Sequence, residues 1–178
     1  MPPDANNATL PTATDANPGR GAIKVLIVDD EPRNLDVLES VLDSTDYELI
    51  RASNPDEALL ALIDGEFAAI VLDINMPGMN GIELAHLIKQ RKRTQDIPII
   101  FLTAYFQEEK FVIEGYSVGA VDYLTKPVNP QILRSKVGVF VDLFRKTRAL
   151  AEMNRTLERE VEERRAAEEA LRFANSEL

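Results

Sequence analysis

The feature that most constrains this chain is a series of short apolar runs that recur at intervals of about 25 residues. From residue 22 onward the runs are Ala22–Val28, Tyr47–Ala52, Ala68–Leu72, Ile97–Leu102 and Val121–Leu124. The stretches between them place aliphatic side chains at helical spacing, as at Leu35, Leu38, Val41 and Leu42. Strands that alternate with helices predict a parallel sheet with right-handed crossovers, and hence a small five-stranded, doubly wound α/β domain over residues 22–144.

Two further segments flank this domain. After Met1, residues 2–21 contain one large apolar side chain, Leu10, and we expect residues 1–21 to be a disordered tail because so little apolar surface cannot offset the entropy of ordering. After Pro130 the chain has no proline, and Gly138 is its last glycine. This composition predicts a single helix from Gln131 to about Leu178, roughly 70 Å long at 1.5 Å per residue.

The end of that helix carries a seven-residue repeat. One register holds the leucines Leu143, Leu150, Leu157, Leu171 and Leu178, and the companion register includes Asn154 and Val161. This pattern favours a parallel, two-stranded coiled coil over residues 145–178, although Arg164 and Glu168 interrupt its apolar seam. The alternative is a solvated amphipathic single helix, which would gain little stability from packing.

Composition narrows the classes of partner. The formal net charge is −10, and residues 145–178 balance eight Lys or Arg against eight Glu, so the excess negative charge lies before them. An acidic body argues against nucleic-acid binding. The chain has no cysteine for a disulfide or thiolate site, and no apolar run approaches the roughly 20 residues needed to cross a bilayer. The N-terminus does not resemble a secretory signal, so we expect a cytoplasmic protein without a membrane partner.

The candidate functional residues follow the predicted strands. Asp29, Asp30, Asp73, Thr103 and Lys126 come at the ends of strands one, three, four and five. In an open α/β sheet this edge binds ligands, so these side chains should converge. Two carboxylates about 4 Å apart repel by about 4 kcal/mol at an effective dielectric of 20, so three together require protonation or a cation. Oxygen ligands without cysteine suit Mg²⁺.

With a metal, the Lys126 ammonium and the Thr103 hydroxyl around it, the carboxylate of Asp73 is the candidate nucleophile for a phosphoryl group. The segments VLIVDDE (25–31), IVLDINMPGMNGIEL (70–84), IIFLTA (99–104) and GAVDYLTKP (119–127) resemble the bacterial two-component response-regulator receiver family. The resemblance covers about residues 22–144. It implies a flavodoxin-like fold with strand order 2-1-3-4-5.

The same resemblance implies a role for each residue of the pocket. Asp73 would be the phosphoacceptor, Asp30 a direct Mg²⁺ ligand, Asp29 a ligand through metal-bound water, and Asn75 a ligand through its backbone carbonyl. Thr103 and Lys126 would bind the phosphoryl group, Lys126–Pro127 would be a cis peptide, and Tyr123 would be the aromatic switch residue. The phosphodonor would be a histidine kinase or histidine phosphotransfer protein, docked around Asn34, Leu35 and Leu38 on the first helix, although Leu35 could equally be a core residue.

Each of these residues also has a purely structural interpretation. Asp29 and Asp30 before Pro32 could cap a helix. Asp73 and the nearby Met-Pro-Gly sequence (76–78) could simply form a turn. Thr103 would be a buried hydroxyl, Lys126 a surface charge and Tyr123 a core aromatic. The only histidine, His86, is predicted mid-helix, and no glycine-rich nucleotide loop occurs, so the chain is not expected to be a complete histidine kinase.

Two other functions remain open from the sequence. One is a Mg²⁺-dependent phosphotransferase or phosphatase with an aspartyl intermediate, which would need a substrate pocket and usually an inserted cap that these short loops do not offer. The other is an inactive receiver that serves as a dimerising scaffold. The preferred hypothesis is a regulatory receiver, not a conventional enzyme, whose signal leaves through a dimeric helix like the connectors that lead into histidine kinases or diguanylate cyclases.

Overall fold

The computed structural model describes residues 22–104 and 122–176. Over these residues strands alternate with helices, as the apolar runs predict. The strands are β1 (Lys24–Val28), β2 (Glu48–Ala52), β3 (Phe67–Asp73), β4 (Ile99–Thr103) and β5 (Asp122–Thr125). The helices are α1 (Pro32–Leu42), α2 (Pro55–Ala61), α3 (Gly81–Lys89) and α4 (Pro130–Ser176). The predicted tail and Val121, the first residue of the fifth predicted strand, lie outside the described residues.

All five strands pair in parallel, in the order β2-β1-β3-β4-β5. This order confirms the doubly wound α/β fold and the strand arrangement that the resemblance implies. Every residue of β3 is buried, and so are all but the first of β1 and all but the last of β4. Apart from Lys24, Asp73 and Thr103 at their ends, these central strands are apolar, because helices cover both faces of the sheet.

The two faces of the sheet form separate apolar cores. Leu26 and Val28 of β1 face the core beneath α2 and α3, whereas Val25 and Ile27 face the core beneath α1 and α4. Successive side chains of a strand point to opposite faces, so a single apolar strand serves both cores. The two layers of helices thereby hold the carboxyl ends of the strands in a fixed relation to one another.

Helix α4 spans 47 residues, starting one residue earlier than predicted. Its first turns are buried on one side by Leu133, Val137 and Val141, which pack on the sheet. From residue 149 to 176 every residue of the helix is exposed. Along the described parts of the chain no helix is both long and apolar enough to span a membrane.

Candidate functional site

Three carboxylates meet at the carboxyl edge of the sheet. Asp29 and Asp30 follow β1, and Asp73 is the last residue of β3, which lies beside β1. One oxygen from each carboxylate lies within 4.8 Å of the others. Asp29 and Asp73 are 0% and 3% exposed, whereas Asp30 faces solvent. The sequence-based expectation that these three residues converge is confirmed.

The start of α3 packs directly against the backbone of Asp73. The backbone N–H of Gly81 donates to the carbonyl oxygen of Ile74 at 2.9 Å. A Cβ atom at Gly81 would lie 2.2 Å from the carbonyl oxygen of Asp73, far inside contact distance. Asn80 caps the helix by accepting from the N–H of Glu83 at 2.9 Å, and Glu83 reciprocates. The motif at residues 70–84 includes this glycine, but the sequence pattern did not predict that position 81 requires it.

Lys126 enters the pocket from the loop after β5. Its Nζ donates to Oδ2 of Asp29 at 2.8 Å and lies 2.9 Å from Oδ1 of Asp73. Its backbone N–H donates to the carbonyl oxygen of Thr103 at 2.8 Å, which joins this loop to the end of β4. The Lys126–Pro127 peptide bond is cis, as the resemblance implies. Lys126 is therefore a bridging cation between two buried carboxylates rather than a surface charge.

Asp29 has further partners at the start of α1. Its Oδ1 accepts from the backbone N–H of Glu31 at 3.0 Å, and the side-chain amide of Asn34 donates to Oδ1 at 2.9 Å and to Oδ2 at 3.1 Å. The structural interpretation of Asp29 is thus partly right, since this carboxylate does organise the turn before the helix. Asn34 was considered only for partner docking. Its spacing of five residues from Asp29, on the first turn of a helix, is the signal that points to this contact.

Burial and charge compete at the Asp73 carboxyl. Burial raises its pKa above the ordinary value, the adjacent Lys126 ammonium opposes the rise, and the negative charges of Asp29 and Asp30 add to it. For Lys126, burial by itself would lower the pKa, but its contacts with Asp29 and Asp73 outweigh burial and raise it. The pocket therefore holds Lys126 protonated while it disfavours a third negative charge. A further cation would reduce the repulsion among the carboxylates.

The donor set fits a hard divalent cation. Among the described residues, Oδ1 of Asp73 is the one buried side-chain polar atom without a well-directed hydrogen bond, because the 2.9 Å approach of Lys126 is an ion pair without that alignment. An oxygen of this kind retains acceptor capacity. Three carboxylates with no sulfur or imidazole among them match the preference of Mg²⁺ for oxygen ligands.

Comparison with known proteins identifies the family to which this fold belongs. A family model described as "Response regulator receiver domain" matches residues 25–138. The chain belongs to the response-regulator receiver family. Receiver domains accept a phosphoryl group from histidine kinases or phosphotransfer proteins and generally bind Mg²⁺ at an aspartate cluster.

Individual relatives agree with this assignment. The phosphate regulon transcriptional regulatory protein PhoB of Pseudomonas aeruginosa is 41% identical over 113 residues, which cover 64% of this chain and 49% of that protein. The chemotaxis protein CheY4 of Vibrio cholerae superposes with a TM-score of 0.62 at 32% identity, over 67% of this chain and 99% of that one. A CheY-like receiver protein of Methanospirillum hungatei gives a TM-score of 0.63 at 30% identity, over 71% and 99%. The chain spans about half the length of the curated relatives it matches.

The receiver pocket is bordered by the other predicted residues. Thr103 ends β4 and pairs in register with Thr125 of β5. Tyr123 lies opposite Phe101 with ring centroids 5.3 Å apart, half-buried against the core beneath α2 and α3. Asn75 follows Asp73 by two residues and is exposed. The roles of Asn75, Thr103 and Tyr123 in metal binding and switching stay predictions.

The predicted docking surface on α1 of this receiver needs correction. Leu35 and Leu38 are 2% and 4% exposed and pack in the core beneath α1 and α4, so neither is available to a partner. The exposed face of α1 instead presents Arg33, Asp36 and Val37. The helical pattern that identified the two leucines marks the buried face of α1. His86 is exposed in α3, in agreement with its predicted place on a helix.

Proposed function

We propose that this receiver is phosphorylated on Asp73 by a histidine kinase or histidine phosphotransfer protein, in a Mg²⁺-dependent reaction, and that it signals through a dimeric α4. The observation that supports the proposal most directly is the environment of Asp73. Its carboxylate is buried, one oxygen retains acceptor capacity, and Lys126 lies 2.9 Å away. The proposal makes the domain a regulatory phosphoacceptor whose catalysis is limited to its own phosphorylation and dephosphorylation.

The transfer consists of one displacement at phosphorus. An oxygen of Asp73 forms the new P–O bond while the P–N bond to the donor imidazole breaks and its electron pair stays on the imidazole. Lys126 pairs with the oxygens of the arriving group, and the Thr103 hydroxyl donates to them. Because such transfers depend mainly on positioning and charge neutralisation, a preassembled cradle is sufficient protein machinery.

Mg²⁺ would be held by Asp30, Asp73 and the backbone carbonyl of Asn75, with Asp29 acting through metal-bound water. When bound, it would neutralise charge on the phosphoryl oxygens. Asp29 suits the indirect role because Glu31, Asn34 and Lys126 already donate to its two oxygens. Asp30, exposed at the rim, suits the direct one.

We propose that the exposed part of α4, which extends beyond the receiver, transmits the signal to the output. Its predicted seam places Leu143, Leu150, Leu157, Val161 and Leu171 on one side, and these side chains are 50–62% exposed. An exposed apolar stripe of this length is stabilised when a second helix covers it. We expect that second helix to come from another copy of the chain, in parallel.

The competing enzyme hypothesis has less support. The described loops above the pocket are short, comprising residues 29–31 after β1 and 74–80 after β3. Neither contains an inserted cap domain that would enclose a small substrate over Asp73. Of the relatives named above, PhoB is called a transcriptional regulatory protein and CheY4 a chemotaxis response regulator.

Incubation with acetyl phosphate and Mg²⁺, followed by intact mass measurement, tests the phosphoacceptor. The wild-type chain should gain one labile phosphoryl group, and Asp73→Asn should gain none. Asp64→Asn, which removes an exposed carboxylate at the opposite edge of the sheet, should be labelled like the wild type. Labelling that persists in Asp73→Asn would place the acceptor on another residue.

A further inference from the structure

The carboxylate of Asp29 is the most completely bonded group in the pocket. It is fully buried, and its two oxygens accept from the backbone N–H of Glu31, the side-chain amide of Asn34 and the ammonium of Lys126, at distances from 2.8 to 3.1 Å. The Asn34 amide is the only one of these donors that contacts both oxygens. Such a bridging contact fixes the position of the carboxylate and also the orientation of its plane.

The three donors differ in how they depend on Asp73. Lys126 is shared, because its Nζ lies between Asp29 and Asp73. Any anionic group that reaches Asp73 competes for that ammonium. A buried carboxylate that loses a charged donor becomes costly unless other donors remain. Asn34 and the N–H of Glu31 belong to the start of α1, so their bonds to Asp29 do not depend on the position of Lys126.

We infer that Asn34 is a positioning residue of the phosphorylation reaction: it holds Asp29 in place independently of Lys126 and thereby sets the Mg²⁺ affinity of the pocket. The inference rests on the proposed function and adds to it a residue that acts through Asp29. Asn34 is half-buried, and its amide is directed at Asp29 rather than outward to a partner. Residues that orient a metal-binding carboxylate typically change metal affinity about 10- to 100-fold when they are replaced.

The test uses two substitutions of Asn34 and one matched control. Asn34→Leu keeps the branched shape and the number of side-chain heavy atoms but removes the donor, and Asn34→Gln keeps an amide donor one methylene further out. Asn54→Leu is the control, because Asn54 is also half-buried and also begins a helix. Its side chain accepts from the N–H of Glu57 at 2.9 Å and donates to Ser53, and its described hydrogen bonds include none with the three pocket carboxylates. Mg²⁺ dissociation constants are measured by calorimetry, and phosphorylation by acetyl phosphate is followed by intact mass across Mg²⁺ concentrations.

Asn34→Leu should weaken Mg²⁺ binding about tenfold or more and should shift the Mg²⁺ concentration for half-maximal phosphorylation by the same factor. Asn34→Gln should fall between Asn34→Leu and the wild type. Asn54→Leu should lower the melting temperature but leave both Mg²⁺ measurements unchanged. If Asn34→Leu does not fold, the Mg²⁺ affinity of Asn34→Gln still tests the inference.

Two results would overturn the inference while leaving the proposed function intact. One is wild-type Mg²⁺ affinity in both Asn34 variants, together with normal labelling of the wild-type chain. The other is equal weakening by Asn34→Leu and Asn54→Leu, which would make the effect general destabilisation. A wild-type chain that neither binds Mg²⁺ nor accepts a phosphoryl group would overturn the proposed function and this inference together.

Discussion

The side chains of the pocket show how a buried acidic site is kept intact before any ligand arrives. Asp29 is stabilised by three donors, whereas Asp73 shares one ammonium with it and has an oxygen without a well-directed hydrogen bond. Burial and the neighbouring carboxylates together raise the pKa of Asp73. The remaining repulsion is a cost to the fold that a bound cation would remove, and this property makes the apo protein sensitive to charge.

At the scale of single residues, Asp30→Asn should stabilise the metal-free chain and end phosphorylation. Asp30 is exposed, but its negative charge acts on the buried Asp73. Removing it should raise the melting temperature in a chelator by about 2–4 °C, as measured by circular dichroism. With Mg²⁺ and acetyl phosphate the variant should not be labelled, because a proposed metal ligand is lost.

The control for that experiment is Asp64→Asn, which changes net charge equally at an exposed position outside the pocket. It should leave both the melting temperature and the labelling close to wild type. Normal phosphorylation of Asp30→Asn would show that Asp30 is not a metal ligand.

At the scale of elements, the junction of β3 and α3 determines where Asp73 sits. The first residue of α3, Gly81, lies against the Asp73 carbonyl so closely that a methyl group would overlap it. The turn between them contains Gly78 at φ +80°, a conformation that favours glycine. The two glycines serve different purposes, one for contact distance and the other for backbone conformation.

Gly81→Ala should therefore destabilise the fold and impair phosphorylation together. Overpacking at such a contact costs about 1–3 kcal/mol and forces the backbone of Asp73 to shift. Chemical denaturation would measure the free energy of unfolding, and acetyl phosphate labelling would measure the reaction. We expect both to fall in the same variant.

Gly138→Ala provides the matched control on another helix. A Cβ at Gly138 meets no atom within 4 Å, so the substitution should raise helix propensity and stabilise the chain by up to about 1 kcal/mol. Labelling should be unaffected. If Gly81→Ala were as stable and as active as Gly138→Ala, the close packing at Asp73 would not matter for the site.

At the scale of the whole molecule, α4 runs from the carboxyl ends of the strands to their amino ends. It starts four residues after Lys126, and further along it Phe140 and Phe144 border a cavity of about 440 Å³ with Phe67, the first residue of β3. Asp73 ends the same strand, so the cavity and the pocket are separated by about 20 Å at 3.3 Å per residue. Leu143 both lines this cavity and belongs to the predicted seam, so the proposed dimer would begin where α4 still packs on the receiver.

The dimer prediction is tested by mass. Light scattering should show a dimer for the full chain and a monomer for a chain that ends near residue 144. The apolar seam is interrupted once by charged residues, a position called the charged step below. There Nε of Arg164 lies 3.7 Å from Oε1 of Glu168 in the same helix. Charges at seam positions cost stability unless they pair or reach water, so replacing Arg164 with Leu and Glu168 with Ile should tighten the dimer.

The same double substitution should also reduce any change in helix spacing on phosphorylation, measured between spin labels on the two helices. We expect this because the charged step permits two arrangements of similar energy, and an apolar seam would favour one. A full chain that stays monomeric at micromolar concentration, with or without acetyl phosphate, would contradict the coiled-coil output.

The sequence by itself determined the fold class and the members of the acidic cluster. Continuous apolar runs identify buried strands, and polar residues at strand ends must meet at one edge of a parallel sheet, so Asp29, Asp30, Asp73 and Lys126 were all predictable. Only the tertiary structure decided how they are partnered. The contacts of Asn34 with Asp29 and of Gly81 with Asp73 depend on distances between elements, which periodicity does not encode. The docking surface around Leu35 and Leu38 was predicted from the family resemblance. Only the structure shows that the core beneath α1 and α4 covers both leucines, because helical spacing shows that one face is apolar but not what covers it.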